Sequence, residues 1–418
     1  MKMNKSRLSA AIKLAQFAWV GVFAVQGTHA NPGAITSKTG NVTANLGDTD
    51  STVNISGDFA EISWDEFNIA NGETVNFDFV DGDGISLGNN SASLVVNHIE
   101  TGTSRIDGNL DSNGHVLLIN PRGVIFSQGA RVNVAALTVS ALENSIVNNN
   151  GGGNFDLLVD GLEPAEGADV SNLGMIENGG VINASSGGIT LVGRSIRNLD
   201  TGGLGNITAT QGTISMVSAD KATLSIGTSG LIGVEVSEVL ETELNLDEAI
   251  LNSGDLQGAR VIMQAEVADG LFASSAVNNS GSITAKGIDN SGGTIQLIGN
   301  IVEDGAVAAP TPVAVVNSGD LIASGDSGGV VSILGNNVIH SDAGTITANG
   351  EAGGSGGTVT ITADSDLDLA GTVEAFGNGA GQQGGSVVTV AGETLTVASA
   401  VDTLGSSGAG GGSWQLGS

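Results

Sequence analysis

The sequence predicts an all-β solenoid, a parallel β-helix with a cap at its N-terminal end. Glycine accounts for 66 of the 418 residues and aromatic residues for only 3%, which disfavours helical bundles because glycine is a poor helix former. Short stretches of alternating apolar and polar residues recur, as expected for half-buried strands. A glycine-containing motif returns every 25 to 38 residues, a spacing typical of solenoids. A β-sandwich is the alternative fold, and it explains a recurring motif less well.

Residues 1–30 read as a Sec-type signal peptide. Four basic residues precede an apolar run over residues 14–25, and small residues lead to a predicted cleavage site after Ala30. The apolar run is too short to span a bilayer, so a removable signal is favoured over a permanent anchor. The Sec machinery is therefore an expected partner, and residues 31–418 are expected to leave the cytoplasm.

The exported chain is strongly acidic. Removing residues 1–30 takes away four of the 13 basic residues and none of the 44 acidic residues, which leaves a net charge of −35. Such a chain repels phosphate backbones, so nucleic acid is excluded as an expected partner. The chain has no cysteine, which rules out disulfides, thiolate zinc sites and thiol catalysis.

The C-terminal half of the chain consists of repeats. The motif that begins at Asn252 returns at Asn279 and Asn317, and looser copies follow around Gly344 and Gly371. The longest step between copies contains two prolines and is interpreted as an inserted loop. We expect equivalent asparagine side chains on successive coils to stack into hydrogen-bonded ladders, with asparagine and glycine at the corners.

Each repeat reads as two short strands separated by turns. In residues 358–363, alternation places Val359, Ile361 and Ala363 on one face and the threonines on the other. One such unit cannot bury its apolar face, whereas stacked units can. At about 25 residues per coil, the exported chain would form roughly 15 coils, a rod about 70 Å long at the usual strand spacing.

Residues 31–155 differ from the simple repeats because they hold most aromatic side chains of the exported chain. These side chains are Phe59, Trp64, Phe67, Phe77, Phe79, Phe126 and Phe155. Aromatic residues at the start of a solenoid predict a packed cap over the open end of the core.

An ordered set of motifs runs through the same region. The motifs are Ile62–Ile69 (ISWDEFNI), Asn71–Phe77 (NGETVNF), Ser104–Leu110 (SRIDGNL), Val116–Phe126 (VLLINPRGVIF), Gly129–Val134 (GARVNV) and Leu137–Ala141 (LTVSA). In order and spacing, this set resembles the N-terminal two-partner secretion domain, or haemagglutination activity domain, of the filamentous haemagglutinin family of secreted exoproteins. The resemblance is close over residues 31–155 and generic beyond them.

The resemblance implies a right-handed parallel β-helix, Sec export, and recognition by a dedicated outer-membrane transporter with periplasmic docking domains. It divides the chain into a signal peptide (1–30), a two-partner secretion domain with the cap and first coils (31–155), and a repetitive β-helix continuation (156–418). It also implies a Gram-negative bacterium, and a secreted or cell-surface location that is reached through the periplasm.

The turn Asn120-Pro121-Arg122-Gly123 lies within the most specific of these motifs and is the candidate for secretion recognition. Proline suits the second position of a turn and glycine suits its close, so a purely structural turn is the alternative. Members of the resembling family usually have asparagine where this chain has Arg122. Both interpretations of the turn stay open at this point.

A protease-like motif, Gly-Asp-Ser-Gly-Gly at residues 325–329, is the sharpest candidate for catalysis. It matches a serine nucleophile signature, but a catalytic triad also needs a histidine base and a carboxylate. Ser-Gly-Gly also precedes predicted strands at Ser186, Ser291 and Ser355, and a corner recurs in each coil whereas a nucleophile has no reason to. We therefore interpret Ser327 as a corner residue and predict no catalytic site.

No metal or cofactor is predicted. The carboxylate groups considered as calcium ligands are Asp78, Asp81 and Asp83 in one loop, Asp364, Asp366 and Asp368 along one strand, and the run Glu235, Glu238, Glu241, Glu243, Asp247 and Glu248. None matches an EF-hand loop or a calcium-binding nonapeptide, so they are interpreted as solvated surface, and the run as a surface excursion. His98 and His115 lack the further ligands that a metal requires.

These observations predict a non-enzymatic secreted exoprotein of the haemagglutinin or adhesin type. Its expected partners are the outer-membrane transporter and a receptor on a host or neighbouring cell. The alternative is a secreted β-helix enzyme acting on extracellular polysaccharide, for which Arg194, Arg197 and Arg260 would supply basic groups.

Overall fold

A computed structural model describes most of the chain after the predicted signal peptide. The described ranges are 32–142, 146–149, 157–162, 174–227, 232–241, 246–268, 271–272, 274–302, 313–351, 353–405 and 410–417. Several predicted features lie outside them, namely the signal peptide with its cleavage site at Ala30, Phe155, Glu243, and the inserted loop with Pro310 and Pro312.

The described residues form 38 strands and no helix, so they include no helix that could cross a membrane. The first twelve strands are β1 (Ile35–Thr39), β2 (Val42–Asn45), β3 (Asp50–Ser56), β4 (Phe59–Trp64), β5 (Thr74–Val80), β6 (Leu94–Ile99), β7 (Ser104–Ile106), β8 (Asn109–Ser112), β9 (His115–Ile119), β10 (Val124–Phe126), β11 (Arg131–Val134) and β12 (Ala136–Ser140). The next twelve are β13 (Ile146–Asn149), β14 (Leu157–Leu162), β15 (Met175–Asn178), β16 (Val181–Ala184), β17 (Ile189–Gly193), β18 (Ser195–Asn198), β19 (Asn206–Ser218), β20 (Lys221–Ile226), β21 (Ile232–Glu238), β22 (Glu248–Asn252), β23 (Asp255–Ala268) and β24 (Ser275–Asn279). The last fourteen are β25 (Ser282–Ala285), β26 (Thr294–Val302), β27 (Val313–Asn317), β28 (Asp320–Ile322), β29 (Val330–Gly335), β30 (Val338–His340), β31 (Thr345–Thr347), β32 (Thr358–Ala363), β33 (Asp366–Leu369), β34 (Thr372–Glu374), β35 (Ser386–Ala391), β36 (Thr394–Val397), β37 (Ala400–Asp402) and β38 (Ser413–Gly417).

The strands stack in parallel into three columns, which are the three faces of a β-helix. The first column runs β7-β10-β15-β18-β22-β24-β27-β30-β33-β36. The second runs β3-β5-β8-β11-β16-β19-β23-β25-β28-β31-β34-β37. The third runs β4-β6-β9-β12-β17-β19-β23-β26-β29-β32-β35-β38, so the long strands β19 and β23 each take part in two columns.

The predicted parallel stack is confirmed, but its coils contain three strands rather than two. Five strands of the first column end at an asparagine, for example β22 at Asn252, a residue type that the sequence analysis assigned to corners. The longest columns hold twelve strands, which means fewer coils than the predicted 15 in the part of the chain that the structure describes. Strands β13, β14, β20 and β21 form instead a second sheet, described below.

The core lies inside the helix and follows the predicted alternation. In β32, Val359, Ile361 and Ala363 are buried while the threonines point outward. Val331 and Val387 occupy the positions directly below and above Val359 in the adjoining coils. Like residues therefore stack on like residues along the axis, which lets a repetitive sequence fill a continuous core.

The N-terminal end of the core is covered by a cap, as predicted. Strand β1 pairs antiparallel with β4, and β2 pairs antiparallel with β3, so both cross the first coil against the direction of the other strands. Val42 is buried against the core from this side. The parallel edge of the first coil is thus paired and its apolar interior is closed.

The aromatic residues fill the first coils beneath the cap. Trp64 meets Phe67 and Phe77 edge-on with ring centroids 5.5 and 6.4 Å apart, and all three side chains are buried. The indole Nε1 of Trp64 donates to Oδ1 of buried Asn97 at 2.9 Å, and Nδ2 of Asn97 donates to the Leu117 carbonyl at 3.2 Å. The polar groups of this aromatic layer are therefore satisfied within the core.

A row of asparagines runs through the inside of the first column, as the sequence predicted. Its members are Asn178, Asn198, Asn252, Asn279 and Asn317, one per coil, and His340 takes the same position in the next coil. The Nδ2 to Oδ1 distances between successive asparagines are 2.8, 2.8, 2.7 and 2.8 Å, and all the side chains are buried. The row therefore joins six coils through a continuous chain of side-chain hydrogen bonds.

A second, antiparallel sheet lies outside the helix in the order β13-β14-β20-β21. It covers the outer face of the third column, where β9, β12 and β17 are buried on both of their faces. The buried residues between sheet and helix are Leu94, Val96, Leu117, Ile119, Leu142, Val192, Ala222, Leu224 and Ile226. This extra-helical sheet gives the molecule a second hydrophobic core that the sequence analysis did not predict.

A buried ion pair fixes the segment that carries β20 and β21, the extra-helical excursion, to the helix. Nε of Arg194 donates to Oδ1 of Asp220 at 2.6 Å, with side-chain exposures of 8% and 15%. The other oxygen of Asp220 accepts a hydrogen bond at 2.7 Å from the backbone N–H of Glu241. One carboxylate therefore holds the point where the chain leaves the helix and the point where it returns.

Candidate functional site

The turn at residues 120–123 closes the corner after β9. The Gly123 N–H donates to the Asn120 carbonyl at 3.0 Å, and Gly123 has a φ of 97°, which favours glycine. Oδ1 of Asn120 accepts from the Arg122 N–H at 3.0 Å, while its Nδ2 donates to the Gly102 carbonyl and to Oγ of Ser104 at 3.0 and 2.9 Å. Asn120 thus ties its own turn to the corner of the preceding coil.

The four residues of this turn differ in what they present to solvent. The side chains of Asn120 and Pro121 are buried, and Gly123 is buried as well. Arg122 is half-buried, and its Nη1 donates to the Glu100 carbonyl at 2.7 Å across the surface. Arg122 is therefore the residue of this turn whose side chain reaches the surface, whereas the side chain of Asn120 is engaged within the corner.

Ser327 lies at a corner that recurs along the helix. A side chain at Gly328 would overlap the backbone of Ala348 and Gly357 in the following coil, and one at Gly329 would overlap the carbonyl of Gly293 in the preceding coil. The corners at Gly356 and Gly384 are equally tight. Close stacking of backbone explains the Ser-Gly-Gly motif, so its resemblance to a nucleophile signature has a structural cause.

The carboxylate clusters are held by hydrogen bonds or face solvent. Oδ1 of Asp78 accepts from Oγ of Ser86 at 2.6 Å, and Oδ1 of Asp81 accepts from the Asp83 and Ile85 N–H groups at 2.9 Å. Asp364 lies in a turn, and Asp366 and Asp368 are exposed on β33. Glu235, Glu238 and Glu241 are exposed on the extra-helical excursion, whereas Glu248 is half-buried on β22. Within the described ranges, no three His, Asp or Glu side chains are grouped to hold a metal.

The histidines considered as a metal pair lie in separate environments. Nε2 of His98 bonds Oε1 of Glu61 at 2.8 Å on the surface, and this bond lowers the pKa of Glu61. His115 is fully buried, bonds Oγ1 of Thr138 at 2.8 Å through Nε2, and has its pKa lowered to about 4 by burial. Each ring is thus engaged by its own neighbour.

The three arginines of the enzyme hypothesis do not line one groove. Arg194 is already paired with Asp220 in a buried ion pair. Arg197 is half-buried on β18 of the first column, and Arg260 lies on the outer face of β23, where it bonds Gln296. This arrangement gives no support to catalysis on a polysaccharide.

A surface groove of about 400 Å³ lies where the extra-helical sheet ends and the outer face of the helix continues. Its lining includes Ser215 and Gln264 on the helix, Arg260 at the same level, and Ile232 and Val234 on β21. The sequence analysis predicted neither this groove nor the sheet beside it. The signal for the sheet was the unbroken apolar character of strands such as β9, which reads His-Val-Leu-Leu-Ile and leaves no face for solvent.

Comparison with known proteins identifies relatives over part of the chain. Two heme/hemopexin-binding proteins of Haemophilus influenzae are 39% identical over 97 residues and 36% identical over 102 residues. These matches cover 22% and 24% of this chain and 10% of each relative, so the matched segment is a tenth of the relatives' length. Heme and hemopexin binding is stated in the names of those proteins.

Solved structures match along most of the chain. The HMW1 secretion domain from Haemophilus influenzae superposes with a TM-score of 0.57 and 22% identity, covering 92% of this chain and 100% of that domain. The filamentous hemagglutinin secretion domain gives a TM-score of 0.41 and 14% identity over 91% of this chain and 99% of that one. The HMW1 match confirms the fold class, an all-β right-handed parallel β-helix.

The family assignment rests on the model of the TPS secretion domain, which matches residues 23–321. This match spans well over half of the 418 residues and includes the cap, the turn at residues 120–123 and the extra-helical sheet. TPS secretion domains belong to secreted exoproteins of Gram-negative bacteria and are recognised by a dedicated outer-membrane partner transporter. The chain belongs to the TPS secretion domain family of two-partner secretion.

Proposed function

We propose that this chain is an adhesin-type exoprotein that its transporter exports in one direction, from the N-terminal cap onward. Sec carries it to the periplasm, the signal peptide 1–30 is removed after Ala30, and periplasmic docking domains of the transporter bind residues 31–155. Residues 156–418 then extend the β-helix outside the cell, at the surface or released from it. The observation that carries the proposal is the stack of coils behind a closed cap, a form that grows by adding units at one end.

Stacking supplies a driving force for this direction of export. Each coil that emerges buries an apolar residue such as Val331, Val359 or Val387 against the coil before it. Burial of apolar surface stabilises by about 25 cal/mol per Å². A segment that has joined the helix outside must lose this energy to slip back, so folding favours net outward movement.

We assign recognition by the transporter to the surface around the turn at residues 120–123. Arg122 presents the polar group, while Asn120, Pro121 and Gly123 fix the shape of the corner. A turn with a purely structural role is the competing interpretation. The two interpretations differ in what they predict for Arg122, because its guanidinium makes one bond at the surface, to the Glu100 carbonyl, whereas Asn120 makes the bonds inside the corner.

The test is secretion from a strain that carries the partner transporter, with the Arg122→Ala, Asn120→Ala and Asn183→Ala variants of the full chain. We expect Arg122→Ala to retain the parental circular dichroism spectrum and to reach the medium more slowly. Asn120→Ala should impair both folding and secretion, and the surface variant Asn183→Ala should impair neither. Parental secretion of Arg122→Ala would leave the turn with a structural role only.

A strain without the transporter tests the two-partner assignment itself. We expect the chain to stay in the periplasm there, and its appearance in the medium would contradict the proposal. For the adhesin role, purified residues 31–418 should bind host or neighbouring cells in a saturable manner. Depolymerisation of an extracellular polysaccharide, abolished by substitution of one carboxylate, would instead revive the enzyme alternative.

A further inference from the structure

The asparagine row inside the helix has a direction. Each Nδ2 donates to Oδ1 of the asparagine in the next coil, so hydrogen bonds run from the N-terminal to the C-terminal end. The amide also donates to a carbonyl of its own coil, as Asn198 does to Gly205 at 2.8 Å and Asn317 to Gly319 at 3.1 Å. Both donors of these amides are therefore used, and the last asparagine of the row requires an acceptor in the coil that follows.

His340 supplies that acceptor. Its Nδ1 lies 3.1 Å from Nδ2 of Asn317, and its Nε2 lies 3.2 Å from the Thr372 carbonyl. The amide nitrogen can only donate and the carbonyl can only accept. The ring must therefore be neutral, with a lone pair on Nδ1 and the proton on Nε2.

Protonation of His340 removes the acceptor that Asn317 requires, and the Asn317 backbone carbonyl, which favours the charged ring, already accepts from the Ser341 N–H at 2.9 Å. Protonation places an N–H on Nδ1 directly opposite the N–H of Asn317. Asn317 cannot turn its oxygen toward the ring, because that oxygen accepts from Asn279 and its nitrogen also donates to the Gly319 carbonyl. A flip of one amide would force every amide of the row to reverse and to give up its carbonyl partner.

The groups that favour a charged His340 are two backbone carbonyls, those of Thr372 and Asn317, rather than a carboxylate. The ring is buried, and Gly344 and Gly371 pack so closely that a side chain at either would overlap it. The next residue in the same position is Leu369, which is buried and apolar. The carboxylates on the surrounding elements are Asp320, Asp342, Asp366 and Asp368, all exposed, and Glu374, which is half-buried and accepts from Asn349.

We propose that His340 is a proton-sensitive end of the asparagine row, which joins the coils on either side of it when neutral and loosens the coils from β30 onward when protonated. Burial lowers the pKa of His340, and the backbone carbonyls of Thr372 and Asn317 partly oppose that shift. A lowered pKa means that the neutral ring stabilises the fold at neutral pH and that this stabilisation is lost as the pH falls below about 6.5. The loss that arises from His340 is thus expected in the coils from β30 onward.

The test is amide hydrogen exchange of residues 31–418 at pH 7.0 and pH 5.5, corrected for intrinsic exchange rates. We expect protection of β30 and β33 to fall by up to about tenfold at the lower pH, the ratio set by one pH unit below the ordinary histidine value. In His340→Asn, an amide that does not titrate accepts from Asn317, so this difference should disappear. Unchanged protection in the parent, or an undiminished difference in His340→Asn, would overturn the proposal.

Two further measurements keep the proposal testable if His340→Asn folds poorly. His98→Asn, which changes a surface histidine, should leave the pH dependence of β30 and β33 as it is in the parent. Residues 31–418 contain only three histidines, so imidazole ¹⁵N resonances can be assigned by substitution. We expect His340 to be the Nε2–H tautomer at pH 7.5, and an Nδ1–H tautomer or a charged ring there would overturn the proposal.

Discussion

The asparagine row makes a sharp prediction for Asn252→Ala. Asn252 is buried, accepts from Asn198 at 2.8 Å and donates to Asn279 at 2.7 Å. The substitution removes both hydrogen bonds and leaves a donor on Asn198 and an acceptor on Asn279 without partners. A buried polar group without a partner costs about 1–3 kcal/mol, so we expect a loss of about 2–6 kcal/mol.

The matched control is Asn183→Ala. Asn183 donates to Oδ1 of Asn133 at 3.2 Å, in the same type of bond between adjacent coils but on the outer face. Water replaces the lost partner there, so the expected cost is below about 1 kcal/mol. The two variants thus differ in burial and share the chemistry of the change.

Chemical denaturation measured by circular dichroism and tryptophan fluorescence gives the comparison. Long solenoids lose cooperativity, so hydrogen exchange in β18, β22 and β24 should locate the loss as well. Equal costs for the two variants would refute the claim that the interior row stabilises the coil stack. A loss of protection spread evenly over the helix would also count against it.

Three further predictions concern other parts of the molecule. Gly329→Ala should disrupt the stacking of its coil and lower thermal stability, because the new methyl group overlaps a carbonyl of the coil below, whereas Gly88→Ala, in open space, should be neutral. Asp220→Asn should cost about 3–5 kcal/mol by leaving Arg194 buried without its counter-charge, and exchange should rise in β20 and β21 while the helix stays protected. Because burial lowers the pKa of His115 to about 4, its neutral form stabilises the fold at pH 7, and about 2 kcal/mol should be lost by pH 5. Denaturation midpoints at the two pH values test this, and His115→Gln should remove that part of the dependence.

Much of the fold could be predicted because the same pattern of strands and corners recurs in each repeat. Alternation at period two identified the inward face of β32, and the recurring asparagines identified the row that includes Asn252 and Asn279. The Ser-Gly-Gly motifs were assigned to corners from their recurrence alone, and the overlap at Gly328 and Gly329 gives the reason. Each of these features repeats, so one sequence contains several copies of the evidence.

Features that occur once were harder to predict. The extra-helical sheet is built from segments that occur once in the sequence. Its signal in the sequence is the apolar character of strands that are buried on both faces, such as β9. The third strand of each coil was missed because asparagine, typical of turns, ends strands such as β22 inside the helix. The hydrogen-bond partners of Asn120 could not be predicted either, because Gly102 and Ser104 belong to the preceding coil.

The arrangement at Asp220 has a consequence for how this molecule can change. The excursion leaves and rejoins the helix at one carboxylate, so its ends lie next to each other and the coils above and below keep their register whatever runs between them. Closing a longer loop across such a junction costs only about 0.6 kcal/mol per doubling of length. Evolution or an engineer can therefore exchange the segment with β20 and β21 for another, provided that it pairs with β14 and covers the apolar strands beneath it, and the rod will carry it as a side branch.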